Sequence, residues 1–239
     1  MSGTHGVDDR NGAAAARAAS GARADWADAG YAASWNAADG LAGLLRLPWQ
    51  MTGAIVGLDR APRLVMDLGS GPGTFLKVLL DRFPEARGVW VDSSAAMREQ
   101  ATDVLRTVAD RVSFVVGDVS DLAGLDVPDD CDVITNSRVA HHFDPAGLVR
   151  FYRQATERLA AGGWVATLDH VLPGGDWDAR LRAVLPEFAG PNAGKPTHPH
   201  FFPYPSVDDH LRSMAEAGLD HVQMPWRAFY TCLFVGRRP

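Results

Sequence analysis

Cysteine is nearly absent from the chain: Cys131 and Cys232 are the only two in 239 residues, and they lie far apart in apolar runs. That excludes a disulfide framework and any zinc-type ligand spacing, and a reducing cytoplasm is the expected setting. Basic charge is also short, with 23 Lys and Arg against 29 Asp and Glu and a net charge of −6. Duplex nucleic acid and anionic membranes both demand clustered basic residues, so neither is an expected partner, and a small molecule is. No continuous apolar run opens the chain. Residues 1–24 are rich in Ala, Gly and Ser with interspersed charges, so they read as a frayed tail, neither a signal peptide nor a membrane span. There is no internal repeat, and 46 % hydrophobic content at this length suffices for one α/β core with a small lid.

What is present is an alternation of β-branched apolar runs with helical periodicity, the pattern that builds a parallel sheet. Strands are expected at 63–67, 88–92, 112–117, 132–135 and 164–168, with helices at 74–83, 94–108 and 146–159 between them. Asp144 and Pro145 supply the cap and first turn of the last of these helices, and Gly162-Gly163 reads as its stop. A short helix over 177–188, a helix over 207–217 closed by Gly218, and hairpin strands at 221–227 and 230–235 complete the chain.

The most informative stretch is Val65-Met-Asp-Leu-Gly69-Ser-Gly71-Pro-Gly73-Thr-Phe75. Glycines at alternate positions turn the chain sharply out of a strand and let a ligand approach the backbone where a Cβ would block it. A dinucleotide fingerprint reads G-x-G-x-x-G and wants a third small residue to seat the helix. Here the glycines fall at 69, 71 and 73 and Thr74 follows, which disfavours a pyrophosphate cradle. The string from Asp67 to Thr74 resembles the first motif of the class I S-adenosylmethionine (SAM) dependent methyltransferases. The resemblance implies an α/β, Rossmann-like sheet of seven mostly parallel strands with helices on both faces, an antiparallel last strand and an N-terminal helical lid. It also implies SAM as cofactor and a domain over 25–239, divided into a helical lid (25–60), a cofactor-binding core (63–169) and an acceptor-site insertion (170–205).

Roles follow by resemblance, residue by residue. Gly69, Ser70, Gly71 and Gly73 lie against the cofactor. Asp92, about twenty residues after the glycines, accepts from both ribose hydroxyls. Ser93 opens the second helix, and Met97 either packs on one face of the adenine or belongs to the core. Asp118 either accepts from the adenine amino group or holds a turn, with the Val119 amide meeting a ring nitrogen. Asp67 either reaches the methionine ammonium, directly or through water, or holds the turn. Asn136 lines the pocket between cofactor and acceptor, together with Ser137 and Arg138. Tyr31 and Trp35, at helical spacing before the core, either close over the site, Tyr31 on the cofactor and Trp35 on the acceptor, or dock the helix on the sheet.

His141-His142-Phe143-Asp144 falls at the carboxyl edge of the sheet, where ligands of α/β folds bind. A histidine there can remove a proton near neutral pH, worth ~10²–10⁴-fold in rate. His141, His142 and His170 are the candidates, with ordering of a cofactor-contacting loop as the alternative. The long connection 169–205 brings prolines, aromatics and histidines together. His198, His200, Phe202 and Tyr204 are its candidate acceptor contacts, unless the loop merely packs on itself. No metal is expected, because adjacent histidines in a loop do not face one ion together without a third ligand.

The resemblance implies in-line methyl displacement, whose barrier falls mainly through alignment, by ~7–11 kcal/mol in good cases. The abundance of histidine favours an oxygen acceptor on a small molecule, plausible in bacterial specialised metabolism, and a monomer or homodimer is expected. Rival readings are a non-methylating enzyme on this fold and an RNA or protein methyltransferase. Against the second stand the acidic balance and the lack of an Asn-Pro-Pro-Tyr type tetrad after the fourth strand. An oxidoreductase is disfavoured further by the lack of a Tyr-x-x-x-Lys pair.

Overall fold

Strands that are apolar on both faces need cover on both, and the chain interleaves helices that supply it. The structure, a computed structural model, describes residues 42–188 and 203–239. Its strands are β1 Leu64–Leu68, β2 Arg87–Asp92, β3 Val112–Val116, β4 Cys131–Ser137, β5 Leu159–His170, β6 Asp220–Ala228 and β7 Thr231–Arg237. Its helices are α1 Ala42–Val56, α2 Thr74–Arg82, α3 Ala95–Val104, α4 Pro145–Glu157, α5 Trp177–Phe188 and α6 Val207–Glu216. The strands form one seven-stranded sheet in the order β3-β2-β1-β4-β5-β7-β6. β1 to β5 are parallel, and β7 runs antiparallel to both of its neighbours.

Two apolar layers flank the sheet. Val65, Trp90, Val133 and Leu168 pack with Trp49 of α1, Phe75 and Leu79 of α2 and Met97 of α3. Met66, Val91, Ile134 and Phe234 pack with Phe151 and Tyr152 of α4 and Met214 of α6. Neighbours along each strand divide between the two layers, so a side chain's face follows from its parity. The strand order reverses between β1 and β4, and the crevice at the carboxyl ends of these two strands is where such sheets bind ligands.

Two expectations need correction. Gly162 and Gly163 do not stop the preceding helix but lie inside β5, at a register shift against β4. A Cβ on Gly163 would sit 2.9 Å from the carbonyl oxygens of Ala160 and Cys131, so the backbone there is too close for any side chain. The helix expected to reach 108 ends at Val104, because Leu105 turns inward and a 3-10 segment, Arg106–Arg111, takes over with Val108 at non-helical φ −130°. Leu45 and Trp49 of α1 are buried in the core, with Trp49 stacked on Phe75 at 5.8 Å. The Gly218 closure of α6 is observed at φ +88°, with Leu219 N–H returning to the Met214 carbonyl at 3.2 Å. Among the described residues no helix is long and apolar enough to cross a membrane.

Candidate active site

β1 ends in a carboxylate that its own strand buries. Asp67 is 1 % exposed and shares the α1–α3 face with its register partner Thr135, whose hydroxyl donates to Asp67 Oδ1 at 2.7 Å. The Ser70 hydroxyl donates to Asp67 Oδ2 at 2.6 Å, so the carboxylate ties the loop to β4. Burial pushes the Asp67 pKa up to about 6, against the pull of these two hydroxyls. The glycines follow at φ +63°, +52° and +80°. A Cβ on Gly69 would collide with Val139 Cγ2, whereas one on Gly71 would meet nothing within 4 Å. Gly69 is therefore glycine for packing and Gly71 for its left-handed turn, and the space over Gly71 is open to a ligand.

Asp92 joins the loop from the end of β2. Its Oδ2 accepts from Gly71 N–H and its Oδ1 from Ser94 N–H, both at 2.9 Å. Each oxygen keeps a further lone pair, which suits two hydroxyl donors. Burial raises its pKa as well, and its charge adds to the rise at Asp67. Two crowded carboxylates beside an open glycine turn fit a ligand that combines vicinal hydroxyls with positive charge, and SAM is such a ligand. Gly117 N–H donates to the Asp92 carbonyl at 3.0 Å and so brings the exit of β3 alongside. There Asp118 Oδ1 accepts from Ser120 N–H at 2.9 Å in a tight turn, and Val119 packs against the α4 layer. Ser93 precedes Ser94, whose hydroxyl caps α3 by accepting from Met97 N–H at 3.2 Å. Met97 itself is 2 % exposed, within the core layer of α2 and α3.

A second cluster occupies the other side of the crevice. His141 lies in the 3-10 turn Ala140–His142, which β4 enters through Arg138 at φ +60°. Asp169, wholly buried near the end of β5, accepts from the His141 backbone N–H at 2.9 Å through Oδ2, pairs with His141 Nδ1 through Oδ1, and takes the His170 N–H at 2.7 Å. Around this pair stand the His142 ring at 4.1 Å from His141, the His170 ring at 5.3 Å and Tyr204 edge-on at 5.3 Å. His170 stacks on Tyr204 at 5.7 Å. Burial raises the Tyr204 pKa, and the Asp169 charge adds to it. The structure thus brings His141, His142, His170 and Tyr204 together. Tyr31, Trp35, His198, His200 and Phe202 lie outside the described residues. Among the described residues no group of three or more His, Cys, Asp or Glu is arranged to hold a metal ion.

Residues 65–163 match the methyltransferase domain family. This segment is similar to a methyltransferase domain. The chain is 28 % identical over 134 residues to phenazine-1-carboxylate N-methyltransferase of Pseudomonas aeruginosa, a match covering 52 % of this chain and 38 % of that protein. It is 31 % identical over 114 residues to 3-amino-4-hydroxybenzoate 4-O-methyltransferase of Streptomyces cremeus, covering 47 % and 30 %. Its fold matches the crystal structure of a putative O-methyltransferase from Nostoc punctiforme with TM-score 0.65 and 22 % identity, over 84 % of this chain and 58 % of that one. The matched stretches thus span about a third of these two curated relatives.

The matched segment carries the glycine loop, Asp92 and His141, whereas Asp169, His170 and Tyr204 follow it. Sequence reasoning missed Asp169 as the partner of His141 and Thr135 as the partner of Asp67. A signal existed for the first. Thr167 and Asp169 are polar at alternate positions of the continuously buried stretch 165–169, so one face of β5 had to supply hydrogen-bond partners.

Proposed function

We propose that this chain transfers a methyl group from SAM to an oxygen of a small aromatic molecule, with His141 as general base. The observation that carries the reading is the buried His141–Asp169 pair beside the glycine loop, which Val139 touches at Gly69. Donation from Nδ1 to Asp169 selects the tautomer whose lone pair is on Nε2, and the carboxylate stabilises the imidazolium formed when a proton arrives. SAM, when bound, supplies an electrophilic methyl on a sulfonium centre. Asp92 binds the ribose hydroxyls, and Asp67 and Asp92 together favour the cation. Asp118, Val119 and Met97 contribute to the adenine site while keeping their structural bonds. His142, His170 and Tyr204 surround the acceptor hydroxyl and orient it, and their packed rings exclude water from His141.

The relatives' names support an aromatic acceptor of specialised bacterial metabolism. A cytoplasmic monomer or homodimer completes the reading, which two buried, unpaired cysteines support. The test is titration calorimetry with SAM, S-adenosylhomocysteine (SAH) and NAD, followed by a panel of hydroxylated benzoates and phenazines. Micromolar binding of the adenosyl ligands and turnover that collapses in His141→Ala support the reading. Binding of NAD, or no adenosyl binding, overturns it. Turnover insensitive to His141 moves the acceptor to nitrogen.

A further inference from the structure

α5 buries none of its residues, yet it is fixed to the carboxyl edge of the sheet at a definite point. The Tyr230 hydroxyl reaches its first turn, with Asp178 Oδ1 at 3.0 Å and the Asp178 carbonyl at 3.2 Å as acceptors. At the far end of the helix the Phe188 ring lies 5.6 Å from that of Phe229. Tyr230 is in turn bound beside the histidine cluster. Its carbonyl accepts from Val171 N–H at 2.7 Å, and the next residue, Thr231, is in register with His170, with Oγ1 3.3 Å from His170 Nδ1. Leu172 N–H donates to the carbonyl of Pro205, the neighbour of Tyr204, at 3.0 Å.

Asp178 stands between Tyr230 and a cation. Its second oxygen, Oδ2, accepts from Arg182 Nε at 2.8 Å. Asp178, Leu181, Arg182 and Leu185 are spaced i, i+3, i+4 and i+7, so they share one side of α5. Asp178, Leu181 and Leu185 are half-buried, which makes this the side turned towards the protein. The Arg182 side chain, on that same side, stays 73 % exposed and so faces open space rather than packed atoms. An ordinary surface pair at this spacing contributes little. Here the acid is also held by Tyr230, which fixes the guanidinium at Nε, while Nη1 and Nη2 have no hydrogen-bond partner among the described residues. Burial and the Asp169 charge raise the Tyr204 pKa, and the Arg182 charge opposes that rise.

We infer that Arg182 is a specificity-determining residue whose Nη pair grips a carboxylate on the acceptor while the acceptor's hydroxyl meets His141. The inference rests on the reading above that His141 faces a small aromatic acceptor. Two parallel N–H groups match the two oxygens of a carboxylate, which a lysine ammonium does not. Asp169 places negative charge beside the base, so an acidic acceptor needs a cation at its other end, and Arg182 supplies one on the open side. The arrangement selects hydroxylated aromatic acids over neutral phenols.

The probes are 3-hydroxybenzoate, 4-hydroxybenzoate and the primary amides of both, titrated into the SAH-loaded wild type, Arg182→Ala and Arg182→Lys. The wild type should bind an acid about tenfold more tightly than its amide, the low end for hydrogen bonds to a charged group, because the guanidinium is open to solvent. Arg182→Ala should bring the acid down to the level of the amide and leave the affinities for amide and SAH in place. Arg182→Lys, which keeps the charge and loses the fork, should retain part of the preference. Equal affinities for acid and amide in the wild type overturn the inference, as does a preference that survives in Arg182→Ala. Parallel losses of acid and amide in that variant would give Arg182 a structural role in holding α5 and overturn it too. So would a wild type that takes SAH and none of the four aromatics. Turnover of neutral phenols that depends on His141, with no preference for acids, removes Arg182 alone, whereas failure to bind SAH removes the methyl-transfer reading itself.

Discussion

The two faces of the sheet carry opposite chemistry at its carboxyl edge. On the α1–α3 face the groups are carboxylates, buried Asp67 and half-buried Asp92, held by hydroxyls and backbone N–H groups. On the α4–α6 face they are histidines, His141 bonded to Asp169 and His210 bonded to Tyr152. Adjacent residues of β4 serve the two sides, since Thr135 donates to Asp67 and Asn136 donates to Thr167. The difference separates two tasks. On the function proposed above, negative charge under the glycine loop meets the cofactor's cation, while imidazole next to a carboxylate takes up a proton. One strand of period two keeps these tasks a residue apart without mixing their electrostatics.

The largest expected effect tests the histidine face. His141→Ala should lower kcat by ~10²–10⁴-fold in steady-state assays and leave SAM affinity near that of the wild type. A matching collapse in SAM affinity would assign this face to the cofactor as well and dissolve the comparison. On the carboxylate face, Asp92→Ala should weaken SAM binding by on the order of 1.5–3 kcal/mol in calorimetry, the cost of losing hydrogen bonds to a charged acceptor. An unaltered affinity in the folded variant would remove Asp92 from the site. Gly69→Ala puts a Cβ against Val139 at φ +63°, and should cost ~1–3 kcal/mol of stability in denaturant unfolding. If it costs nothing, the loop and the turn after β4 are not in rigid contact.

The smallest effects are pH dependences, and their signs differ between the faces. The Asp67 pKa is raised by burial from 3.8 to about 6, so its contribution to stability is present below 3.8 and lost as pH rises through about 6. Binding of a cation favours the ionised form, so SAM affinity should rise across the same interval, a dependence that Asp67→Asn should flatten. Burial instead lowers the His210 pKa below 6.5, so the unfolded chain takes up the proton first and stability falls as pH drops below 6.5. Unfolding curves of His210→Asn should lack this loss. A common sign in both variants would break the contrast.

Much of the cofactor side is legible in residues close together along the chain. Asp67 and the three glycines lie within one short segment, and a strand followed by such a turn has few alternatives. The ends of α3 and β5 are less legible. Leu105 leaves the helical path to pack near Gly73, and Gly163 is needed by the carbonyls of Ala160 and Cys131. Neither demand is local, so periodicity alone overextends the helix and misreads the glycine pair. Tyr152 and His210 looked like ordinary helix residues, because one belongs to an apolar stripe and the other to a polar first turn.

By itself the sequence determined the order of strands and helices, the glycine turn and the carboxylates that end β1 and β2, because each is set by side-chain period and backbone sterics over a few residues. Only the tertiary structure decided that His141 meets Asp169, 28 residues away, and that Tyr152 meets His210, 58 residues away. Those partnerships depend on register and on which face each strand residue takes, and a slip of one residue would exchange the carboxylate and histidine faces.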